Sequence, residues 1–304
     1  MPFAACDLAG EDWRLRINVV MLSTCKEECG SGTVGPVDGA LVWLNERMPE
    51  LVAADYAPGD FFGRVTLLTN WLWMDERFDT RLDGLLGSVL MTWRHIGRVP
   101  VRLIVNRITP KLRKMADQWD FGLILKPEFK GGGGNGRDLN RNTICHMAEW
   151  FDTEYALTFQ DHAFPLRPGL EEFLGSWDYV GAPWPLDCDD WITRILLPHR
   201  GHVGNGAFTL RSRNLCERTA YYYNRHFRWF PHCYLFNDDY FIGKTLPSWE
   251  RNYLKEVRIP PPETAVRFAL ENNRKLQDSY GQLPFGFHGP DAFGYLRGRG
   301  LVAV

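Results

Sequence analysis

Four short stretches of this chain carry polar side chains that a packed core would not need. Residues 155–164 read YALTFQDHAF, a run of strand-forming residues that ends abruptly in Gln160, Asp161 and His162. An unbroken apolar run suits a strand buried on both faces. An amide, a carboxylate and an imidazole at its end cost desolvation unless partners or a ligand meet them there. In open α/β sheets, ligands sit outside the carboxyl ends of the strands. A second stretch, GHVGNGAFTLRS (201–212), sets Gly204, Asn205 and Gly206 before a strand-like AFTL. Glycines let backbone approach a ligand closely, and Asn205 offers both a donor and an acceptor. A third, LFNDDYFIG (235–243), embeds Asp238 and Asp239 in an apolar aromatic segment. The fourth, PFGFHGPDAF (284–293), isolates His288 between glycines and aromatics.

Together these residue types suggest two chemistries. Asp161, His162 and His288 offer the oxygen and nitrogen ligands that a hard or borderline divalent cation takes. A carboxylate in an apolar setting, Asp238 or Asp239, suits proton abstraction because burial raises its basicity. Each stretch also has a structural reading. Asp161 can cap a turn, Asp238 can cap a helix starting at Asp239, and Asn-Gly is a common turn dipeptide. A lone histidine such as His288 is more often a hydrogen-bonded structural residue than a ligand. Cysteine offers no rival site: Cys25 and Cys29 lack a second pair at zinc-ligand spacing. No P-loop or G-x-S-x-G pattern occurs. Gly30, Gly32 and Gly35 form a G-x-G-x-x-G separated from the preceding strand by TCKEEC, which reads as a turn rather than a dinucleotide loop. The glycine run at 131–136 reads as a loop.

The elements that must position these residues alternate regularly. Strands are expected at 64–70, 101–106, 121–126 and 155–161, with helices at 77–97, 110–119 and 138–150 between them. Strands and helices in this order imply βαβ units, a mostly parallel sheet and helices on both faces. The second half is aromatic-rich, broken by Pro and Gly, and is expected to lie over the strand ends. A strand at 16–23 and a helix at 37–47 are expected in an N-terminal extension, residues 1–62, packed on a main domain of residues 63–304.

Bulk composition bounds the class. The 304 residues are 45% hydrophobic and 24% charged, with a formal net charge of -2, as in an ordinary globular protein without an overall polyanion preference. No run of 18 apolar residues suggests a membrane span. The N-terminal MPFAACDLAGEDWRLR lacks a basic region followed by an apolar stretch, and seven scattered cysteines fit a reducing compartment, so a cytoplasmic location is expected.

In order, FQDHAF, GAPWP (181–185), GNGAFTLRS, NDDYF and PFGFHG resemble the motifs of nucleotide-sugar-dependent glycosyltransferases of GT-A fold. More narrowly they are similar to a glycosyltransferase-like family with FQ-x-D, GAPW, GNGGFSLRS, ED-x-F and PFGFHG motifs. PPPETAVRFALEN (260–272) also looks like a segment of that family, and the resemblance runs from about Arg64 to Phe293. It implies a GT-A, Rossmann-like α/β fold and hexosyltransferase-like transfer to an acceptor hydroxyl. It also implies a donor, most simply a UDP-sugar, held with Mn²⁺ or Mg²⁺. The metal position falls on Asp161 and His162, with His288 as a late ligand, and the catalytic carboxylate falls on Asp239, with Asp238 beside it. Thr69 and Asn70 would meet the nucleoside, and Gln160, Asn205 and Gly206 the rest of the donor. Trp184, His202 and Arg211 would face the acceptor. The family pattern puts aspartate at position 162, where this chain has His162 after Asp161. Either residue therefore stands as the strand-end ligand.

The acceptor is read from local charge. Residues 84–116 contain no acid but seven basic residues, and 191–237 contain only Glu217 among many arginines, interleaved with Tyr221, Tyr222, Tyr223, Phe227 and Trp229. Basic groups mixed with aromatics suit phosphate tracking and base stacking, so a hydroxylated base in DNA stands beside a glycan or small molecule as acceptor. The same residues also suit a solvated helix face and buried packing. Two rival classes are a non-catalytic sugar- or nucleic-acid-binding module and a nucleotidyltransferase. The second should carry a basic Gly-rich loop after its first strand, where this chain has NWLWMDE (70–76).

Overall fold

The computed structural model describes residues 39–69, 78–127, 136–185, 197, 199, 201, 203–229 and 237–302, the side chains of 78, 136–139 and 205 excepted. The expected strand at 16–23, the G-x-G-x-x-G, most of the glycine run, Asn70 and His202 lie outside these residues.

The regular half of the chain folds much as its periodicity dictates. Helix α1 (Gly39–Ala53) precedes β1 (Val65–Thr69), α2 (Phe78–Ile96), β2 (Val101–Val105), α3 (Pro110–Trp119), β3 (Gly122–Leu125), α4 (Gly136–His146) and β4 (Tyr155–Thr158). Local chemistry sets the boundaries. Gly97 takes a φ of +76° where α2 ends. Thr109 Oγ1 accepts the Leu112 N–H and Pro110 opens α3, which stops at left-handed Asp120. Helix α1 continues beyond its expected end, with Pro49 inside it. It packs on α2 across Gly84 and Gly87, where a Cβ would come within 2.8 Å of Leu41 and 2.6 Å of Leu44.

Six strands form one sheet in the order β3-β2-β1-β4-β6-β5, with β5 at Tyr179–Pro183 and β6 at Val203–Ser212. The first four are mutually parallel, and β6 runs antiparallel to both β4 and β5. Alternate side chains point to opposite faces. Leu67, Leu103 and Leu157 enter the core that includes Leu44, Leu82 and Leu112 of the first three helices. Leu68, Ile104 and Ala156 enter another with Met147, Phe151 and Cys216. Helices therefore cover both faces of a mostly parallel α/β sheet, the expected class.

The structure departs from the expectation at GNG. Instead of preceding a short strand, Gly204, Asn205 and Gly206 lie within the ten-residue β6, opposite a register shift in β5. Gly204 has a φ of +122°, and a Cβ there would come 2.1 Å from the Tyr179 ring. Only glycine fits this irregular pairing. After β6 come α5 (Arg213–Tyr222) and a π-helical turn, Tyr223–Phe227. Helix α6 begins at Asp238–Tyr240 and continues through a second π turn, Phe241–Thr245. Phe227 and Phe241 pack with ring centroids 5.4 Å apart, which joins the two π turns.

The last segment, α7 (Pro262–Phe268), α8 (Arg274–Tyr280) and α9 (Pro290–Gly298), includes a small parallel pair, β7 (Ala269–Leu270) and β8 (Gly286–Phe287). Leu270 pairs with Phe287, so Glu271 and His288 leave adjacent strands side by side. The N–H of Gly289 donates to the His162 carbonyl at 3.2 Å, tying this pair to the end of β4.

Candidate active site

Two polar clusters lie at the carboxyl end of β4. Register explains their closeness. Thr158 pairs with Thr209, so Asp161, three residues past Thr158, and Gly206, three before Thr209, emerge at the same end of the antiparallel β4–β6 pair. Thr158 Oγ1 also lies 3.4 Å from the Gly206 carbonyl.

The first cluster surrounds His162. Asp161 is fully buried, and Arg81 of α2 donates to both of its oxygens, Nε to Oδ2 at 2.7 Å and Nη2 to Oδ1 at 2.6 Å. His162 Nδ1 lies 2.8 Å from Asp161 Oδ1. Burial opposes the charge on Asp161, but His162 and Arg81 outweigh it and hold its carboxyl below the usual range. His288 stacks near His162, with ring centroids 5.1 Å apart. Its Nδ1 comes 3.1 Å from Glu271 Oε1, and its Nε2 3.4 Å from Gln160 Oε1. The Glu271 contact is short but poorly aligned. Among the described residues, His288 Nδ1 and Glu271 Oε2 are buried without a hydrogen-bond partner.

Three of the expected metal and donor residues, Gln160, His162 and His288, are thus brought together. Asp161 faces Arg81 and His162. Among the described residues no three His, Cys, Asp or Glu side chains form a metal-ligand group. The fit of a cation must be judged on the two imidazoles. His162 has Asp161 at Nδ1, the arrangement that orients a histidine's Nε2 toward a metal, and His288 stacks beside it with its own Nε2 near Gln160. Such a pair fits a borderline divalent cation that takes its remaining ligands from phosphate and water.

The second cluster surrounds Asp239. Its Oδ2 accepts the Gly206 N–H at 3.1 Å and its Oδ1 the Tyr240 N–H at 2.7 Å. A Cβ at Gly206 would lie 3.1 Å from Asp239 Cβ, so glycine permits this approach. Burial, then the neighbouring Asp238 charge, raise the Asp239 carboxyl to about 7, against the opposing N–H groups and Arg211. Some of the side chain stays exposed. Asp238 is engaged differently: its Oδ2 accepts from Arg211 Nη2 at 2.6 Å, and its N–H donates to Asn140 Oδ1 at 3.1 Å.

Two of the residues expected at the acceptor, Arg211 and Trp184, are placed otherwise. Arg211 is 1% exposed and faces Asp238, so its guanidinium cannot reach an acceptor in solvent. Trp184 is 9% exposed and packs 5.7 Å from the Tyr240 ring, with Lys244 Nζ 5.5 Å from its own. Large exposed aromatics lie instead at Tyr221 and Trp229, accompanied by Arg225 and Arg228. Thr69 ends β1 with its Oγ1 buried and without a partner among the described residues.

Arg81, Asn140 and Glu271 escaped the sequence reading. Glu271 had a signal, since VRFAL ends in a carboxylate just as YALTF ends in Gln-Asp-His. Arg81 had none, because it meets Asp161 across 80 residues of chain.

A family model described as a protein of unknown function (DUF5672) matches residues 146–288, which hold both clusters except Arg81 and Asn140. No curated protein sequence matches the chain. Among solved structures, glucosyl-3-phosphoglycerate synthase from Mycobacterium tuberculosis with Mn²⁺ and UDP-glucose matches at 10% identity over 57% of this chain, TM-score 0.33. The match spans 61% of the synthase chain. The mannosyltransferase Ktr4p from S. cerevisiae with GDP matches at 8% identity, 76% of this chain and 79% of its own, TM-score 0.39. The mannosyltransferase PcManGT from Pyrobaculum calidifontis with GDP-Man and Mn²⁺ matches at 14% identity, 73% of this chain and 63% of its own, TM-score 0.35. At such identities the case for function rests on side chains. No described helix is long and apolar enough to cross a membrane.

Proposed function

We propose that this chain is a glycosyltransferase of GT-A fold that moves a sugar from a nucleotide-diphosphate donor to an acceptor hydroxyl, with Asp239 as the base. The observation that carries the reading is Asp239 itself. It is a carboxylate raised to about 7, hydrogen-bonded only by the peptide N–H groups of Gly206 and Tyr240 among its described contacts. It stands at the same strand end as the paired imidazoles. A carboxylate so placed accepts a proton near neutral pH.

Asp239 takes the acceptor proton as the acceptor oxygen bonds to the anomeric carbon. The bond from that carbon to the donor phosphate breaks, and its electrons leave with the nucleoside diphosphate. His162 and His288 would hold Mn²⁺ or Mg²⁺, which when bound supplies Lewis-acid neutralisation of the leaving diphosphate. Asp161 orients the His162 imidazole, and Glu271 places a negative charge beside His288. Gln160, Asn205 and Gly206 would line the donor at this strand end, and Thr69 Oγ1 offers a hydrogen bond to the nucleoside. A UDP-sugar is the first donor to try. For the acceptor, a glycan or small molecule fits the part-exposed Asp239. The exposed Arg and aromatic side chains of 221–229 keep hydroxymethylated DNA in the screen.

The test is nucleotide release from a panel of nucleotide sugars, with and without Mn²⁺ or Mg²⁺, comparing wild type with His288→Ala and Asp239→Asn. Metal-dependent release from one donor, lost in His288→Ala, is expected. Unchanged transfer in Asp239→Asn defeats the reading. A binding module would instead show ligand-induced thermal shifts without turnover.

A further inference from the structure

We propose that Arg211 is the positioning residue that decides which of two adjacent carboxylates is the base: by binding Asp238 it withdraws that group and leaves Asp239 to the acceptor. The assignment of Asp239 as base rests on the transfer reading above; the division of the two carboxylates rests on geometry alone.

Arg211 is among the largest fully buried side chains of the protein. A buried guanidinium requires a counter-charge and partners for its donors. Arg211 Nε donates to Thr209 Oγ1 at 2.8 Å, and Nη1 finds the Met147 thioether at 3.7 Å. Its cationic face lies 5.5 Å from the Tyr179 ring centroid. Nη2 lies 3.4 Å from the Gly206 carbonyl and donates to Asp238 Oδ2 at 2.6 Å. Asp238 is the only anion among these contacts. An oxygen engaged at 2.6 Å by a guanidinium is not offered to an acceptor hydroxyl.

The same residue, Gly206, touches both halves of the arrangement. Its carbonyl approaches Arg211 and its N–H donates to Asp239. Among the described residues Asp239 receives only neutral dipoles by hydrogen bond, whereas Asp238 receives a cation. Adjacent in sequence, the two carboxylates are thereby made unlike. Among the described residues, the charged and titratable groups facing Asp239 are Asp238 on its own turn, Arg211 on β6 and Tyr179 on β5. Lys244 of the following π turn lies 5.0 Å from the Tyr240 ring.

The experiment follows the Asp239 carboxyl carbon by NMR in protein labelled at aspartate Cγ, the signal being identified by its loss in Asp239→Asn. In Arg211→Met a nearby cation is gone and the Asp238 charge is uncompensated, so Asp239 should titrate higher, by about one pH unit. In Asp238→Asn an anion is gone and Arg211 remains, so Asp239 should titrate lower by a similar amount. Arg211→Lys should bring the midpoint most of the way back to wild type. Where a donor is turned over, the acid limb of kcat/KM should move in the same directions, and Asp238→Asn should keep far more turnover than Asp239→Asn.

Thermal melting separates a merely structural Arg211. A lower Tm with an unmoved Asp239 midpoint in the Arg211 variants overturns the proposal. Should Arg211→Met not fold, Asp238→Asn decides by itself: a downward midpoint supports the division, and an unmoved one overturns it. If the midpoints move as expected but no nucleotide sugar is hydrolysed, the transfer reading fails while the division stands. If nucleotide is released but Asp238→Asn abolishes it as fully as Asp239→Asn, the division fails and the transfer reading survives.

Discussion

Arg81 holds Asp161 at both oxygens, at 2.7 and 2.6 Å, from a helix 80 residues earlier in the chain. This contact settles how the end of β4 is arranged. With Asp161 anchored and His162 Nδ1 beside it, the ring edge of His162 opposite Nδ1 is what the strand end can offer a ligand.

Replacing Arg81 by Met should therefore do two things. Asp161 would lose its counter-charge while fully buried, costing about 1–3 kcal/mol, at the lower end for a broken buried pair because the Arg81 side chain is 41% exposed. A chemical-denaturation midpoint measures it. Mn²⁺ affinity in the presence of UDP, read by electron paramagnetic resonance, should also weaken about 10–100-fold as His162 loses its orientation. Unchanged affinity would leave Asp161 with a structural role alone.

Asp239→Asn should lower transfer at least about 100-fold with little change in donor KM, since the amide cannot accept the proton. Steady-state kinetics with the donor found in the panel gives the answer. A similar loss in both parameters would point to donor binding instead.

The pH dependence follows from the same group. Activity should rise as pH increases through about 7, where Asp239 loses its proton. Stability should move the other way. The folded-state carboxyl titrates above its unfolded value, so the folded protein binds the extra proton between about pH 4 and about pH 7. This contribution is fully present below the unfolded value and is lost as pH rises through the folded one. Asp239→Asn should thus gain in Tm relative to wild type between pH 4 and pH 8. A constant difference across that range would contradict the raised carboxyl.

Gly204→Ala should destabilise by about 2 kcal/mol or more. Its φ of +122° is foreign to an L side chain, and a Cβ would meet the Tyr179 ring at 2.1 Å. Tyr179 donates its hydroxyl to the Gly204 carbonyl at 2.6 Å, so the ring cannot easily retreat. Melting curves of the variant measure the effect.

Several features were legible in the chain alone because their causes are local. Apolar runs of four to six residues flanked by turn chemistry gave β1 to β4, and Pro110 behind Thr109 gave the start of α3. The strand-end cluster at Gln160–His162 and the carboxylate pair were visible because polar groups in apolar surroundings need a reason. His162 and His288, from two of the four motifs, stack on each other, and Gly206 and Asp239, from the other two, share a hydrogen bond.

What the tertiary structure alone decided is the partner of each polar group. Nothing local distinguishes Asp161 from His162, or Asp238 from Asp239. Arg81 draws Asp161 inward from α2, and Arg211 draws Asp238 inward from β6. Glu271 reaches His288 only because β7 and β8 pair in parallel. Arg211, expected from sequence to face the acceptor, is buried because its alternation on β6 points it toward Asp238. Residue types and short-range periodicity set the elements, since backbone preferences act over a few residues. Which carboxylate meets an arginine and which meets peptide N–H groups depends on contacts tens of residues apart, beyond the reach of local preference.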